Sequence, residues 1–242
     1  MNSPVSNYRI VRYKEGTISE EQDLVVREEP LSLVLLHGPS DDRQETDWAV
    51  SMRTPGNDEE FALGYLLTEG LIQHPSEVLS MRYCVKKEEE TGNRLLIQLQ
   101  PEVVIEIAAR RKDAFLNSSC GVCGKQAIDE VFLQLPAIRP LFSPIPASVL
   151  LELESSIRAK QPVFRNTGGL HACSLFSPTG TLLLQREDVG RHNALDKLIG
   201  AALLQPEQMH RKLYSFSHNF PEERLREIFP RIILTCSELF YE

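Results

Sequence analysis

Arg186-Glu187-Asp188-Val189-Gly190-Arg191-His192-Asn193-Ala194-Leu195-Asp196-Lys197 joins an apolar strand, Leu182–Glu187, to a helix, Asn193–Leu204. Strands mixed with helices in this half and in the preceding one indicate an α/β or α+β layered fold. Gly190 allows the turn, and the first helical turn offers N–H groups to an anion. Arg191 can pair with a phosphate or carboxylate, and His192 can donate to one or shuttle a proton. The same residues also suit a salt-bridged helix start, with Glu187 and Asp188 pairing with Arg186 and Arg191. The stretch alone does not separate these two uses.

Upstream, Asn166-Thr167-Gly168-Gly169-Leu170-His171-Ala172-Cys173 runs from a glycine turn into a strand, His171–Phe176. The paired glycines Gly168 and Gly169 allow a ligand close to the backbone. His171 is either a ligand-contacting group or a structural strand histidine. Cys173 lies among apolar residues and is expected to pack. Ser177-Pro178-Thr179-Gly180 links the two strands as a hairpin turn. Val149, Leu150, Leu153 and Ile157 mark an amphipathic helix, and Arg231–Thr235 reads as a late buried strand. Prolines at 136, 140, 144 and 146 make residues 135–146 a linker. No internal repeat is present.

In the N-terminal half, residues 1–20 are polar and are expected to form a loose arm. Leu31–His37, Trp48–Arg53 and Leu95–Leu99 read as strands. Asn57 with Glu60 three residues on is a capping-box pattern, so a helix follows, with Gly70 as its stop. Lys86–Gly92 reads as an exposed hairpin turn. Pro101–Lys112 fits a strand or a helix, and Lys125 to about Gln134 fits a helix.

Between these halves stands Ser118-Ser119-Cys120-Gly121-Val122-Cys123-Gly124-Lys125. Gly121 and Gly124 permit tight turns and close approach of a substrate. A helix starting near Cys123 stabilises a thiolate or persulfide with its positive end, and Lys125 adds a cation. Zinc normally takes four ligands, often as two such pairs, and one pair is present. A thioredoxin-like redox pair sits early in a small βαβ domain, whereas this one is mid-chain. Sulfur carriage and two inert small hydrophobes complete the alternatives. Zinc deamination needs His-x-Glu followed by Pro-Cys-x-x-Cys. Here His171-Ala172-Cys173 has Cys in place of Glu and follows the thiol pair, so that chemistry is disfavoured.

The 242 residues are 42% hydrophobic and 25% charged, with a formal charge of −8, which suits a soluble globular protein. An acidic balance argues against broad binding to nucleic acid or an anionic membrane, though not against a local basic pocket. The start carries no signal-peptide pattern and no apolar run approaches a membrane span, so a cytoplasmic protein is expected. Five cysteines at uneven spacing make a poor disulfide framework.

Six ordered stretches together resemble the FdhD family of formate dehydrogenase accessory sulfurtransferases. They are Glu28-Glu29-Pro30-Leu31, Met52-Arg53-Thr54-Pro55-Gly56, Phe61–Gly70, Cys120-Gly121-Val122-Cys123-Gly124, Thr167–Ala172 and Glu187–Lys197. The resemblance implies a cytidine-deaminase-like three-layer α/β/α core, with an additional N-terminal α+β subdomain. On that view residues 1–20 are the arm and 21–134 the N-terminal region, ending in the Cys-Gly-Val-Cys loop and its helix. Residues 135–146 are the linker and 147–242 the deaminase-like region.

The resemblance further implies a homodimer that takes sulfur from a cysteine desulfurase. It passes the sulfur to a molybdenum or tungsten bis-pterin guanine dinucleotide cofactor, before that client enters formate dehydrogenase. Cys120 then carries the persulfide and Cys123 assists or relays. Gly168, Gly169, His171, Gly190, Arg191 and His192 are expected to receive the pyrophosphates; no metal ligand is assigned. The alternative is a non-catalytic chaperone that binds the cofactor or the dehydrogenase. Family members usually continue past the late strand with a Ser-Gly-Arg or Ser-Ser-Arg segment. Thr235-Cys236-Ser237-Glu238 stands there instead, so a shortened or divergent C-terminal region is expected.

Overall fold

The computed structural model describes residues 3–84, 93–105, 146–177, 179–205 and 233–237. The elements are β1 (Val5–Lys14), β2 (Thr17–Val26), β3 (Glu29–His37), β4 (Gln44–Arg53), α1 (Asp58–Thr68), β5 (Val78–Tyr83), β6 (Arg94–Leu99), α2 (Ala147–Ala159), α3 (Pro162–Thr167), β7 (His171–Phe176), β8 (Leu182–Asp188), α4 (Arg191–Leu204) and β9 (Ile233–Ser237). Among the described residues they form a mixed α/β structure with three sheets: β1-β2, β4-β3-β6-β5 and β8-β7-β9.

Residues 1–20, expected as a loose arm, instead supply β1 and the start of β2. These are antiparallel strands of ten residues each, paired from Val5↔Val26 to Lys14↔Thr17. Arg9 pairs with Glu20 and Arg12 with Glu21 across the ribbon. At its base the Arg27 N–H donates to the Pro4 carbonyl, and β2 packs against α3. Val11, Tyr13 and Ile18 near its tip are exposed.

The four-stranded sheet has β3 at its centre, antiparallel to β4 and parallel to β6. Leu31, Leu33 and Leu35 alternate along β3 and are fully buried with Leu95, Ile97 and Leu99 of β6. Helix α1 lays Phe61, Leu63 and Leu66 onto this face. Full burial of side chains this size stabilises by roughly 1.5–3 kcal/mol each. Asn57 precedes α1, but it sits in the left-handed region at φ 57° and its side chain makes no cap hydrogen bond. The expected capping box does not form, because Glu60 is drawn to Arg186 on β8 instead.

The C-terminal sheet has a helix on each face. Cys173 and Leu175 of β7 meet Ala194 and Leu198 of α4 on one side. Ala172 and Phe176, at alternating positions, meet Leu153 and Ile157 of α2 on the other. Helices α1 and α4 then pack against each other and join the two sheets. That crossing is very close. A Cβ on Gly64 would lie 1.9 Å from the Asp196 carbonyl oxygen, and one on Gly200 would lie 1.8 Å from that of Glu60.

Candidate functional site

The register of β7 and β8 brings together stretches far apart in sequence. His171, the first residue of β7, pairs with Asp188, the last of β8. The chain enters β7 through Gly168-Gly169 and leaves β8 through Val189-Gly190. Gly168, Gly169, His171, Gly190, Arg191 and His192 are therefore gathered at one end of the sheet.

Beneath that end lies a buried polar knot. The Asp188 carboxylate is fully buried and accepts the Thr54 N–H at 3.1 Å and the Gly190 N–H at 2.9 Å. It also accepts Asn193 Nδ2 at 3.2 Å and pairs with Lys197 Nζ at 2.7 Å. Lys197, itself 1% exposed, also donates to the Thr54 carbonyl at 2.7 Å. Thr54 Oγ1 accepts the Val189 N–H, and Asn193 Nδ2 donates to the Met52 carbonyl at 2.7 Å. A buried charge needs such a full set of partners to offset its desolvation. Next to Thr54 in the chain, Arg53 grips Asp58 through both carboxylate oxygens at 2.9 and 2.7 Å, and the Tyr83 hydroxyl donates to the same carboxylate. Burial, with the Asp58 charge beside it, pushes the Tyr83 phenol up.

Arg186, Glu187 and Asp188 thus have partners other than those expected of a salt-bridged helix start. Arg186 binds Glu60 of α1 at 2.5 and 2.7 Å. Glu187 accepts the N–H groups of Val163 and Phe164 at the start of α3. Burial raises the Glu187 carboxyl against the pull of those two bonds. Asp196 is 9% exposed and accepts a 2.9 Å bond from Thr68 Oγ1. Burial pushes its carboxyl up to about 7; the Thr68 bond opposes the shift, and the charges of Glu69 and Asp188 add to it.

Above the knot, Arg191 and His192 form the first turn of α4 and are exposed. A 14-residue helix places the partial positive charge of its N-terminus there. Gly168 caps α3 at φ 67°, a left-handed conformation that favours glycine, and no atom lies within 4 Å of where its Cβ would stand. Gly190 has another role than the expected turn flexibility. Its φ of −94° suits any residue, but a Cβ would meet Asn193 Nδ2 at 3.0 Å. His171 is half-buried. An exposed cation, an exposed imidazole, a helix N-terminus and an open glycine turn together suit a multiply charged anion.

Cys120 and Cys123 lie outside the described residues, as do residues 135–145 of the linker, the Lys86–Gly92 turn and the helix expected at 125–134. Cys173 is buried, and its thiol donates to the Arg191 carbonyl at 3.8 Å. Its antiparallel register places Cys236 directly opposite. No local pattern pairs Cys236 with Cys173, because strand register is set here by contacts some sixty residues apart. Thr54 and Glu60 carry no local sign of pairing with the C-terminal stretch; Thr54 stands in the Met52–Gly56 motif and Glu60 in the capping-box pattern.

A sequence model of the FdhD/NarQ family matches residues 26–223, which takes in the thiol pair, the glycine turn and the Arg186–Lys197 stretch. The chain belongs to the FdhD/NarQ family. It is 40% identical over 199 residues to the "Sulfur carrier protein FdhD" of Nocardia farcinica, covering 81% of this chain and 67% of the relative. The Streptomyces coelicolor protein of the same name is 37% identical over 202 residues, covering 81% and 68%. That of Saccharolobus solfataricus is 35% identical over 205 residues, covering 85% and 72%. In fold, the chain is similar to a crystal structure of a Desulfotalea psychrophila protein assigned a formate dehydrogenase accessory role. The TM-score is 0.56 at 23% identity, over 83% of this chain and 70% of that one. Among the described residues, no helix is long and apolar enough to cross a membrane.

Proposed function

We propose that this FdhD/NarQ chain is a sulfur carrier for formate dehydrogenase, with sulfur held as a persulfide on Cys120. The observation that carries the reading is the family match across residues 26–223, a range that includes Cys120-Gly121-Val122-Cys123, together with relatives that bear the name sulfur carrier protein. The Cys120 thiolate attacks the outer sulfur of a cysteine desulfurase persulfide. The donor leaves as a thiolate and Cys120 keeps the sulfur as Cys120–S–SH. A persulfide is more acidic than a thiol, so it stays anionic and nucleophilic with little help. Cys123 is a secondary thiol that assists or relays.

The recipient in this reading is the molybdenum or tungsten bis-pterin guanine dinucleotide cofactor, as a client rather than a resident group. Its pyrophosphates fit the exposed Arg191, His192 and helix N-terminus, with Gly168 and Gly169 allowing close approach and His171 at the edge. The sheet between α2 and α4 supports a deaminase-like α/β/α core for residues 147–242, with 21–134 as the N-terminal region. The protein works in the cytoplasm as a homodimer, between a cysteine desulfurase and formate dehydrogenase.

Intact-mass measurement after incubation with a cysteine desulfurase and cysteine tests the carrier role. Wild type is expected to gain the mass of sulfur, reversibly with dithiothreitol, and Cys120→Ala to gain none. A wild type without added sulfur, or a Cys120→Ala variant that gains as much, overturns it. Calorimetry with a guanine nucleotide tests the anion site: Arg191→Ala is expected to weaken binding about tenfold, the loss of one charge-assisted contact. Unchanged affinity removes Arg191 from the pocket.

A further inference from the structure

The pairing of β7 with β9 sets Cys173 and Cys236 directly opposite each other in an antiparallel ladder. Opposed residues in such a ladder have Cα atoms about 4.5 or 5.5 Å apart, depending on the hydrogen-bonding position. Disulfides span Cα separations of about 4.4–6.8 Å. Either ladder position therefore lies within bridging range with little movement of the backbone.

From this juxtaposition we propose that Cys173 and Cys236 are a redox-responsive pair that closes into a cross-strand disulfide. Cys173 is not in a disulfide in the structure. The oxidant is a low-molecular-weight disulfide such as oxidised glutathione. One cysteine thiolate attacks a sulfur of that disulfide, forming a mixed disulfide and expelling a glutathione thiolate. The second cysteine thiolate attacks the protein sulfur of the mixed disulfide and expels the other. Two protein thiols become one disulfide, and two glutathione thiols carry away the two electrons and two protons.

Two features give the pair a route and a consequence. In the sheet order β8-β7-β9, β9 is an edge strand among the described residues, held by a five-residue ladder to β7. Release of a short edge strand is among the low-cost openings of a fold, so the buried Cys173 becomes reachable without global unfolding. The consequence lies at Arg191. The Cys173 thiol donates to the Arg191 carbonyl at 3.8 Å, and a disulfide sulfur has no proton to donate. Oxidation thus fastens β9 to β7 and removes one tie between β7 and the first turn of α4, where Arg191 and His192 are displayed.

The test uses the full-length protein, folded, in oxidised glutathione at mildly alkaline pH. Remaining thiols are then blocked with N-ethylmaleimide in denaturant, and unreduced peptides are sequenced by mass spectrometry. A linked Cys173–Cys236 peptide pair is expected, lost on dithiothreitol treatment, with a thermal midpoint raised over that of the reduced protein. Recovery of both cysteines as N-ethylmaleimide adducts, or as separate glutathione adducts, overturns the proposal. So does a link that appears only when urea is present during oxidation. Cys236→Ser is expected to abolish the rise in midpoint; should that variant misfold, the wild-type peptide map decides alone. Neither outcome depends on Cys120 carrying sulfur.

Discussion

Lys197 is the residue on which the knot turns. The residue is 1% exposed, and among the described residues its ammonium has the oxygens of Asp188 and Thr54 as polar partners. Lys197→Met keeps much of the apolar stem but leaves a buried carboxylate without its cation. Such a change costs about 3–5 kcal/mol, and urea unfolding at neutral pH is expected to show a loss of that size. Asp196 makes the opposite prediction. Its carboxyl is raised from 3.8 to about 7 in the fold, so the folded state binds the extra proton between these values. Stability is therefore full below about pH 4 as far as this group is concerned, and is lost as pH rises through about 7. Asp196→Asn holds the neutral form at every pH. It is expected to flatten that decline and to be more stable than wild type at alkaline pH, by on the order of a few kcal/mol, since each unit is worth about 1.4. Denaturant midpoints across the range check it. At this scale the sequence named the participants but not their roles. Asp188 and Arg186 are conspicuous charges in one stretch, yet the Glu60 that holds Arg186 and the Thr54 N–H that reaches Asp188 lie more than a hundred residues away.

At the scale of elements, the crossing of α1 and α4 depends on two hydrogen atoms. Gly64 faces the Asp196 carbonyl and Gly200 faces that of Glu60. Either Gly→Ala change forces the helices apart along backbone, where no side chain can yield, and is expected to cost about 3 kcal/mol, the upper end of overpacking. One separation relieves both clashes, so the double variant is expected to lose clearly less than the sum of the singles in denaturant melts. Additive losses would mean that the two contacts move independently. The strands and helices with apolar periodicity were legible in sequence: β3, β4, β6, α1, α2, β7, β8 and α4 each carry a buried face. The β1–β2 ribbon was not, because its strands alternate charge with scattered apolar residues and bury almost nothing. Nor was β5, whose apolar Val78, Leu79 and Met81 fall on both faces with Leu79 exposed, nor α3, whose six residues make under two helical turns.

Among the described residues, the four-stranded sheet and the C-terminal sheet are joined by helix packing and side chains rather than by a shared strand. Arg186–Glu60, Lys197–Thr54, Asn193–Met52 and Thr68–Asp196 all cross between the N-terminal and C-terminal halves. The two halves are therefore expected to unfold as one. Trp48, the sole tryptophan, sits in β4 of the N-terminal sheet, so its fluorescence reports that half. Its denaturant transition is expected to coincide with the one followed by far-ultraviolet circular dichroism. Two separated transitions would show that the links are too weak to couple the halves. No local pattern forecast this joining, since periodicity shows that a helix has an apolar face and not which distant helix meets it.

The submerged carboxylate at 188 has a bearing on how such chains are sorted into active and inactive. Mutations at Thr54, Asp188, Asn193 or Lys197 are expected to be eliminated for the damage they do to folding, whether or not any client still docks. A lineage that had abandoned its chemistry would go on displaying most of this signature for as long as it kept its shape. The exposed positions 191 and 192, free of that constraint, are where a change of trade would first be written.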